Sequence, residues 1–373
     1  MFKKILGSAI LAILFILTGC GARSQNTNTK QTIHLGWIGP LTGEGANIGN
    51  DALQAAKIAI EEINNAGGIN GQNLSLIAED TKCEPKPAVN ASTKLINIDR
   101  VPVILGGACS GETLAAAPIA ENNKTILLSY CASSPKITEA GDYIFRDVPS
   151  DNFQGKKAAE YIFQKINKKK TAVVFSRDDW GSGIKEVFVS NYRALGGEIV
   201  LEEGFNPTSR DIRTILTKVK NSSAETLYYL AHPEASLAGL KQIRELQINL
   251  PIIGADPWDD SNIHKETFAQ GITYLVQSKK NITPSWSEKL KEKGANASVC
   301  AAPSYDSVMI IKNILEKVGT DPKNIREELY KIQNYSGLSG IISLDNNGDI
   351  TSAEYEVRII NNNSSTTTDD LTL

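Results

Sequence analysis

Histidine is scarce in this 373-residue chain: there are three, His34, His232 and His264. None lies in a GxSxG, HExxH or comparable frame, so no motif marks a serine hydrolase or a zinc protease. His34 falls on a strand and His264 reads as a surface residue. Charge of one sign is also missing, with 39 Lys and Arg against 42 Asp and Glu, a net charge of −3. No basic stripe with interleaved aromatics appears, which argues against nucleic acid as a partner. The run Lys165–Lys170 reads as a solvated helix end, where cations suit the dipole. No two cysteines have the spacing of a zinc site or a redox CxxC pair. Asp345–Asp349 (DNNGD) has part of a calcium loop but not its later bidentate Glu. Asn347-Gly348 reads better as a hairpin turn. No metal or cofactor is expected.

Long apolar runs are absent too, except at the start. Residues 1–20 carry Lys3 and Lys4, then an apolar run from Ile5 to Leu17 that is short for a membrane span. It ends in Leu17-Thr18-Gly19-Cys20, which resembles the bacterial lipoprotein signal. That resemblance implies removal of residues 1–19 and lipidation of Cys20. Acyl chains contribute ~0.8 kcal/mol per buried CH₂, so two or more would hold the chain to a bilayer. Residues 20–32 are polar and aperiodic, a flexible tether. Residues 361–373 (NNNSSTTTDDLTL) are of low complexity and are expected to be a disordered tail.

Between these ends strands and helices alternate, the pattern of parallel sheets with right-handed crossovers. Roughly 330 residues are enough for two domains. The opening is the most telling. A strand at Ile33–Ile38 leads through a Gly-rich loop into a helix with Leu53, Ala56, Ile60 and Ile63 on one face. Asn65-Ala66-Gly67-Gly68 stops that helix, and Leu74–Ala78 follows as the next strand. In such sheets ligands bind beyond the carboxyl ends of the strands. The loop's Gly43, Gly45 and Gly49 are spaced GxGxxxG, one residue too long for the dinucleotide fingerprint.

The stretch Gly39–Ala88 resembles the first lobe of the type I periplasmic binding proteins, in the leucine/isoleucine/valine-binding branch. The resemblance runs over nearly the whole mature chain. It implies an α/β fold of two doubly wound parallel-sheet lobes joined by a three-strand hinge. Lobe 1 would comprise residues 33–147 and 278–345, and lobe 2 residues 148–277 and 346–360. Of the three pairings open to Cys83, Cys109, Cys131 and Cys300, it selects Cys83–Cys109. For Cys131 and Cys300, both placed near the cleft, a second bridge and two buried thiols remain open.

Five residues stand out as ligand contacts. Ser110 opens a helix, where a hydroxyl and free N–H groups form an anion site. A plain N-cap is the alternative, and the resemblance assigns Ser110 to a ligand α-carboxylate. It assigns Ser133 to carboxylate and ammonium together, and the Cys131 carbonyl to the ammonium. It assigns Asp256, at a strand end, to the ammonium, and a carboxylate in a cleft does call for a cation. Helix capping is its alternative. The resemblance assigns Trp180 to an aromatic position that closes over the ligand, with packing in the loop before a helix as the alternative. The chain also departs from the family pattern. Its second tyrosine falls near Ala231, just before His232-Pro233-Glu234, and Asp256 stands where Glu is common. Ile48, and Cys300 nearby, replace pocket aromatics.

These readings imply a monomeric, non-enzymatic, lipid-anchored binding protein of an ABC importer, on the extracytoplasmic side. It would capture an amino acid, branched-chain or otherwise apolar, and deliver it to permease subunits. A sensor, or a binder of amides, urea or aromatic acids, is the alternative on the same fold. A hydrolase using Ser110 lacks a base.

Overall fold

In the computed structural model of the chain, residues 32–371 are described. The signal segment 1–19, Cys20 and the tether up to residue 31 lie outside the described residues.

The first sheet contains β1 (Thr32–Gly39), β2 (Asn73–Asp80), β3 (Val103–Leu105), β4 (Ile126–Ser129) and β5 (Ile144–Arg146). Helices α1 (Ala46–Asn65), α2 (Pro85–Asn97) and α3 (Ser110–Asn122) connect them. The strands are parallel in the order β2-β1-β3-β4-β5. Helices cover both faces, so the inner strands are apolar on both sides. Val103 and Leu105 point into one core with Leu35, Leu53 and Ile60, and Ile104 points into the other with Leu95 and Ala116. Past the end of α1, Gly68 has φ 79° and donates its N–H to the Ile63 carbonyl at 2.9 Å. A Cβ there would lie 2.0 Å from the Gln72 carbonyl oxygen, so only glycine fits this stop.

The second sheet begins after α4 (Asp151–Glu160). It is built from β6 (Lys170–Ser176), α5 (Asp179–Ala194), β7 (Glu198–Phe205), α6 (Arg213–Asn221), β8 (Thr226–Leu230), α7 (Pro233–Glu245), β9 (Ile252–Gly254), α8 (Ser261–Lys265) and β10 (Thr273–Gln277). The chain then returns to the first sheet with α9 (Pro284–Glu292), α10 (Ala301–Val318) and α11 (Pro322–Leu329). Val308, Ile311 and Ile314 of α10 join the core of Leu35 and Leu105. A small hairpin, β11 (Tyr335–Ser336) and β12 (Ile341–Ile342), precedes β13 (Tyr355–Asn361) and β14 (Ser364–Leu371). The second sheet runs β14-β13-β10-β9-β8-β6-β7. The chain thus crosses between sheets at Asp147–Ser150, again after Gln277, and a third time before Tyr355. Three crossings between two lobes are the kind of connection at which hinge closure occurs.

Several expectations need correction. Residues 361–371 are not a disordered tail: β14 pairs antiparallel with β13 from Asn361↔Ser364 to Tyr355↔Leu371. The hairpin loop is Asn362-Asn363, with φ 51° and 61°. Asparagine is among the few residues that accept this left-handed region, and the Thr-rich return suits a strand. Asn347-Gly348 does form a turn, closed by Gly348 N–H to the Asp345 carbonyl at 3.1 Å. It joins only a single bridge, Leu344↔Ile350, not two strands. His264 is buried, not a surface residue; its Nε2 is 2.9 Å from the Trp258 carbonyl oxygen.

Candidate functional site

In a doubly wound sheet the loops diverge where the strand order reverses, which opens a crevice. Here the reversals lie between β1 and β3 in the first lobe and between β6 and β8 in the second. The loops after these strands face each other. A cavity of about 40 Å³ lies between them. Ser110, Cys131, Ser133, Trp180 and Asp256 all line it. Ile48, Val299 and Cys300 supply apolar wall. A second recess of about 20 Å³ continues from it past Ser133 and Asp256 to Asp151, Gln154 and Tyr355.

On lobe 1, Ser110 is the first residue of α3 and its Oγ accepts the Ser134 N–H at 3.1 Å. The first amides of α3 have no intrahelical acceptor, so this end is suited to a negative charge. Buried Glu112 shapes the approach. Its Oε1 accepts from the amides of Ala108 (2.5 Å) and Cys109 (2.9 Å), and its Oε2 from the Thr81 hydroxyl. Cys83 and Cys109 are bridged beside it. Cys131 and Cys300 are also bridged, with Cα atoms 5.2 Å apart, and this disulfide forms part of the cleft wall. Closing a loop of such length contributes about 5 kcal/mol in the chain-entropy account. Ser133 donates its hydroxyl to Asp151 Oδ2 at 2.9 Å.

Arg146 fixes this edge of the site. It is fully buried, and all its N–H groups are used. Nε bonds Asp349 Oδ1 (2.6 Å), Nη2 bonds Asp349 Oδ2 (2.5 Å) and Thr138 Oγ1 (2.8 Å), and Nη1 bonds the carbonyls of Ser133 (3.1 Å) and Ser134 (2.9 Å). The guanidinium therefore ties the Ser133 loop to the third crossing segment.

On lobe 2, Trp180 lies in the first turn of α5, buried against His232 with ring centroids 5.0 Å apart. Asp178 caps α5 through the Gly181 N–H (2.7 Å), accepts from the Ser176 hydroxyl, and lies 3.1 Å from His232 Nε2. Asp256 follows β9, and its Oδ1 is buried without a protein partner. Gln154 Oε1, in the adjoining recess, is likewise unpartnered. Burial pushes the Asp256 carboxyl up to about 7, against the opposing pull of Gln154 and His232. Burial and the Asp256 charge raise Asp151 well above the carboxylate range. The two acids share a shielded pocket, and neither is in an ion pair among the described residues.

The lobes also meet outside the cleft. Gly45 donates its N–H to the Glu234 carboxylate (3.3 Å to each oxygen), Lys136 pairs with Asp179 at 2.8 Å, and Arg210 pairs with Glu44. The structure is thus a closed one.

Sequence reasoning missed His232, Asp151 and Gln154. His232 was legible as the residue just past β8, at a strand's carboxyl end. Asp151 and Gln154 lie in the first turn of α4, and only the packing of that helix against the cleft reveals them.

The shifted acids set a pH trend for the empty protein. Burial raises Asp51 to about 6 and Glu112 to about 7, alongside Asp256. The folded chain holds protons there that the unfolded chain has released, so stability falls as pH rises from about 4 through 7. His232 acts in the same sense: burial lowers its pKa, but Asp178 outweighs that and raises it, so its stabilising charge is lost as pH rises. The acids lowered by partners, such as Asp178, lose their contribution only at more acidic pH. The melting temperature without ligand is expected to be higher at pH 5 than at pH 7.5, as calorimetry would show. A rise between those values would contradict the burial of these acids.

Comparison with known proteins adds an independent line. The sequence model of the family described as periplasmic binding protein matches residues 32–363. A leucine-, isoleucine-, valine-, threonine- and alanine-binding protein of Pseudomonas aeruginosa is 28% identical over 362 residues, covering 94% of this chain and 96% of the relative. The Leu/Ile/Val-binding protein of Escherichia coli is 27% identical over 354 residues, covering 92% and 95%. Among solved structures, a leucine-binding protein of Thermotoga maritima superimposes with a TM-score of 0.85 at 26% identity, covering 91% and 99%. A branched-chain amino-acid transporter substrate-binding protein of Streptococcus pneumoniae, in complex with isoleucine, gives 0.84 at 26% identity, covering 92% and 100%.

Proposed function

This chain belongs to the periplasmic binding protein family, and from that premise we propose that it captures an amino acid with an apolar side chain for an ABC importer. Solute binding, not catalysis, is its role. The observation that carries the ligand class is the unpartnered Asp256 Oδ1, buried in a cleft whose opposite wall holds the Ser110 helix start. One end wants a cation and the other an anion, which suits a zwitterion. Ile48, Val299, Trp180 and the Cys131–Cys300 bridge offer apolar surface for its side chain.

In this reading Ser110, Ser133 and the Cys131 carbonyl on lobe 1 receive the zwitterion first. Closure brings Asp256 and Trp180, and the ligand favours the closed form because only there does it touch both lobes. The closed form delivers the ligand to permease subunits. Lipidated Cys20 keeps the protein at the extracytoplasmic face of a membrane, as a monomer.

A thermal-shift screen of the soluble domain against amino acids, amides and carboxylic acids tests this. Ligand at 100 times its Kd should add about 2.7 kcal/mol of stability. Leucine, isoleucine, valine and their apolar relatives are expected to give the largest shifts. Equal response to benzoate or to simple carboxylic acids would remove the ammonium from the account and favour the aromatic-acid alternative.

A further inference from the structure

Lobe 2 brings a histidine to the cleft, just past Ala231, the position near which the resemblance puts a tyrosine. His232 follows β8 at the point where the strand order of the second sheet reverses, and it lines the cleft with Trp180 and Asp256. Its Nε2 is engaged by Asp178 at 3.1 Å, while Nδ1 has no protein partner among the described residues. The Asp178 charge is already shared among the Gly181 amide, the Ser176 hydroxyl and the imidazole. The charged groups acting on His232 are Asp178 from the β6–α5 turn, Glu234 from α7 itself and Asp256 from beyond β9. Glu234 is turned to the Gly45 amide.

Position relative to lobe 1 decides what the imidazole can reach. The start of α3 packs on the start of α5: Ser134, whose amide bonds Ser110 Oγ, donates its hydroxyl to the Asp179 carbonyl at 3.1 Å. Trp180 follows Asp179, and its ring lies against His232. The imidazole therefore stands on the Ser110 side of the cleft. Asp256, Asp151 and Ser133 share the other side.

We infer that His232 is a ligand-positioning residue, an imidazolium that clamps the α-carboxylate from lobe 2 opposite Ser110. This rests on the zwitterion reading above. It makes lobe 2 a recogniser of both charges, His232 for carboxylate and Asp256 for ammonium, and it replaces the absent tyrosine hydroxyl near Ala231. Closure is then required for full capture of the carboxylate as well as the ammonium. Burial opposes the imidazolium, but Asp178 keeps it protonated to higher pH than free histidine.

The test compares L-leucine with its decarboxylated analogue, 3-methylbutylamine, by calorimetric titration of the wild-type chain and His232→Gln. Glutamine keeps a hydrogen-bonding group but loses the charge. A hydrogen bond to a charged group implies a loss of about 10- to 100-fold in leucine affinity, with the amine's weaker affinity unchanged. An equal loss for both probes, or none for leucine, would overturn the inference. Should the variant not fold, the wild type suffices. Its leucine affinity should fall as pH rises beyond the ordinary histidine range and the imidazole loses its proton, while the amine's does not. A flat leucine profile across that rise would overturn the inference equally. A wild-type chain that binds no amino acid would instead end the zwitterion reading itself.

Discussion

Replacing Asp256 by alanine is expected to abolish amino-acid binding while leaving the fold intact. Removing one partner of a desolvated charge pair costs about 2–5 kcal/mol, roughly 30-fold to several-thousand-fold in Kd. The empty protein should lose nothing. Asp256 Oδ1 has no partner in the closed cleft, so its deletion removes a desolvation cost and breaks no bond made by that oxygen. A melting temperature equal to or above wild type, with no shift on adding leucine, is the expected pair of results. Wild-type affinity should also weaken as pH drops below about 7, where the shielded carboxyl takes up the proton that the ammonium must displace. Binding by Asp256→Ala within a few-fold of wild type would dismiss the ammonium pairing.

The largest effect on stability is expected from Arg146→Ala. The substitution leaves Asp349 and the carbonyls of Ser133 and Ser134 without their donor in a buried place. Breaking a buried ion pair from one side destabilises by about 3–5 kcal/mol. Denaturant unfolding would measure it, and a change below about 1 kcal/mol would show that the network is dispensable. Replacing both partners with apolar residues, Arg146→Met with Asp349→Leu, should recover much of the loss, because no charge is then stranded. Ligand binding should suffer in the single variant beyond what stability explains, since the Ser133 loop loses its anchor.

The alternation of apolar strands with amphipathic helices is set by short-range chemistry. Leu53, Ala56, Ile60 and Ile63 lie on one face of α1 and are buried, and Gly68 stops the chain where only glycine fits. Residues at the carboxyl ends of strands were legible as site candidates for the same reason: Ser110 after β3, Ser133 after β4, Trp180 after β6 and Asp256 after β9. Helix α9 carries little periodic signal, because its apolar face is little more than Trp286 and Leu290, which pack with Ile58. The final strand was misjudged because polar, Thr-rich composition resembles a tail until a neighbour accepts its backbone hydrogen bonds.

By itself the sequence determined the local elements, the family they belong to and the types of side chain at each loop, since periodicity and turn chemistry act over a few residues. Only the tertiary structure decided that Cys131 and Cys300 meet across 169 residues of chain, that Asp151 and Gln154 stand beside Asp256, and that His232 is held by Asp178 against Trp180. These contacts depend on how two sheets are set against each other. A chain records that arrangement only through the summed packing of both cores, so no local pattern announces it.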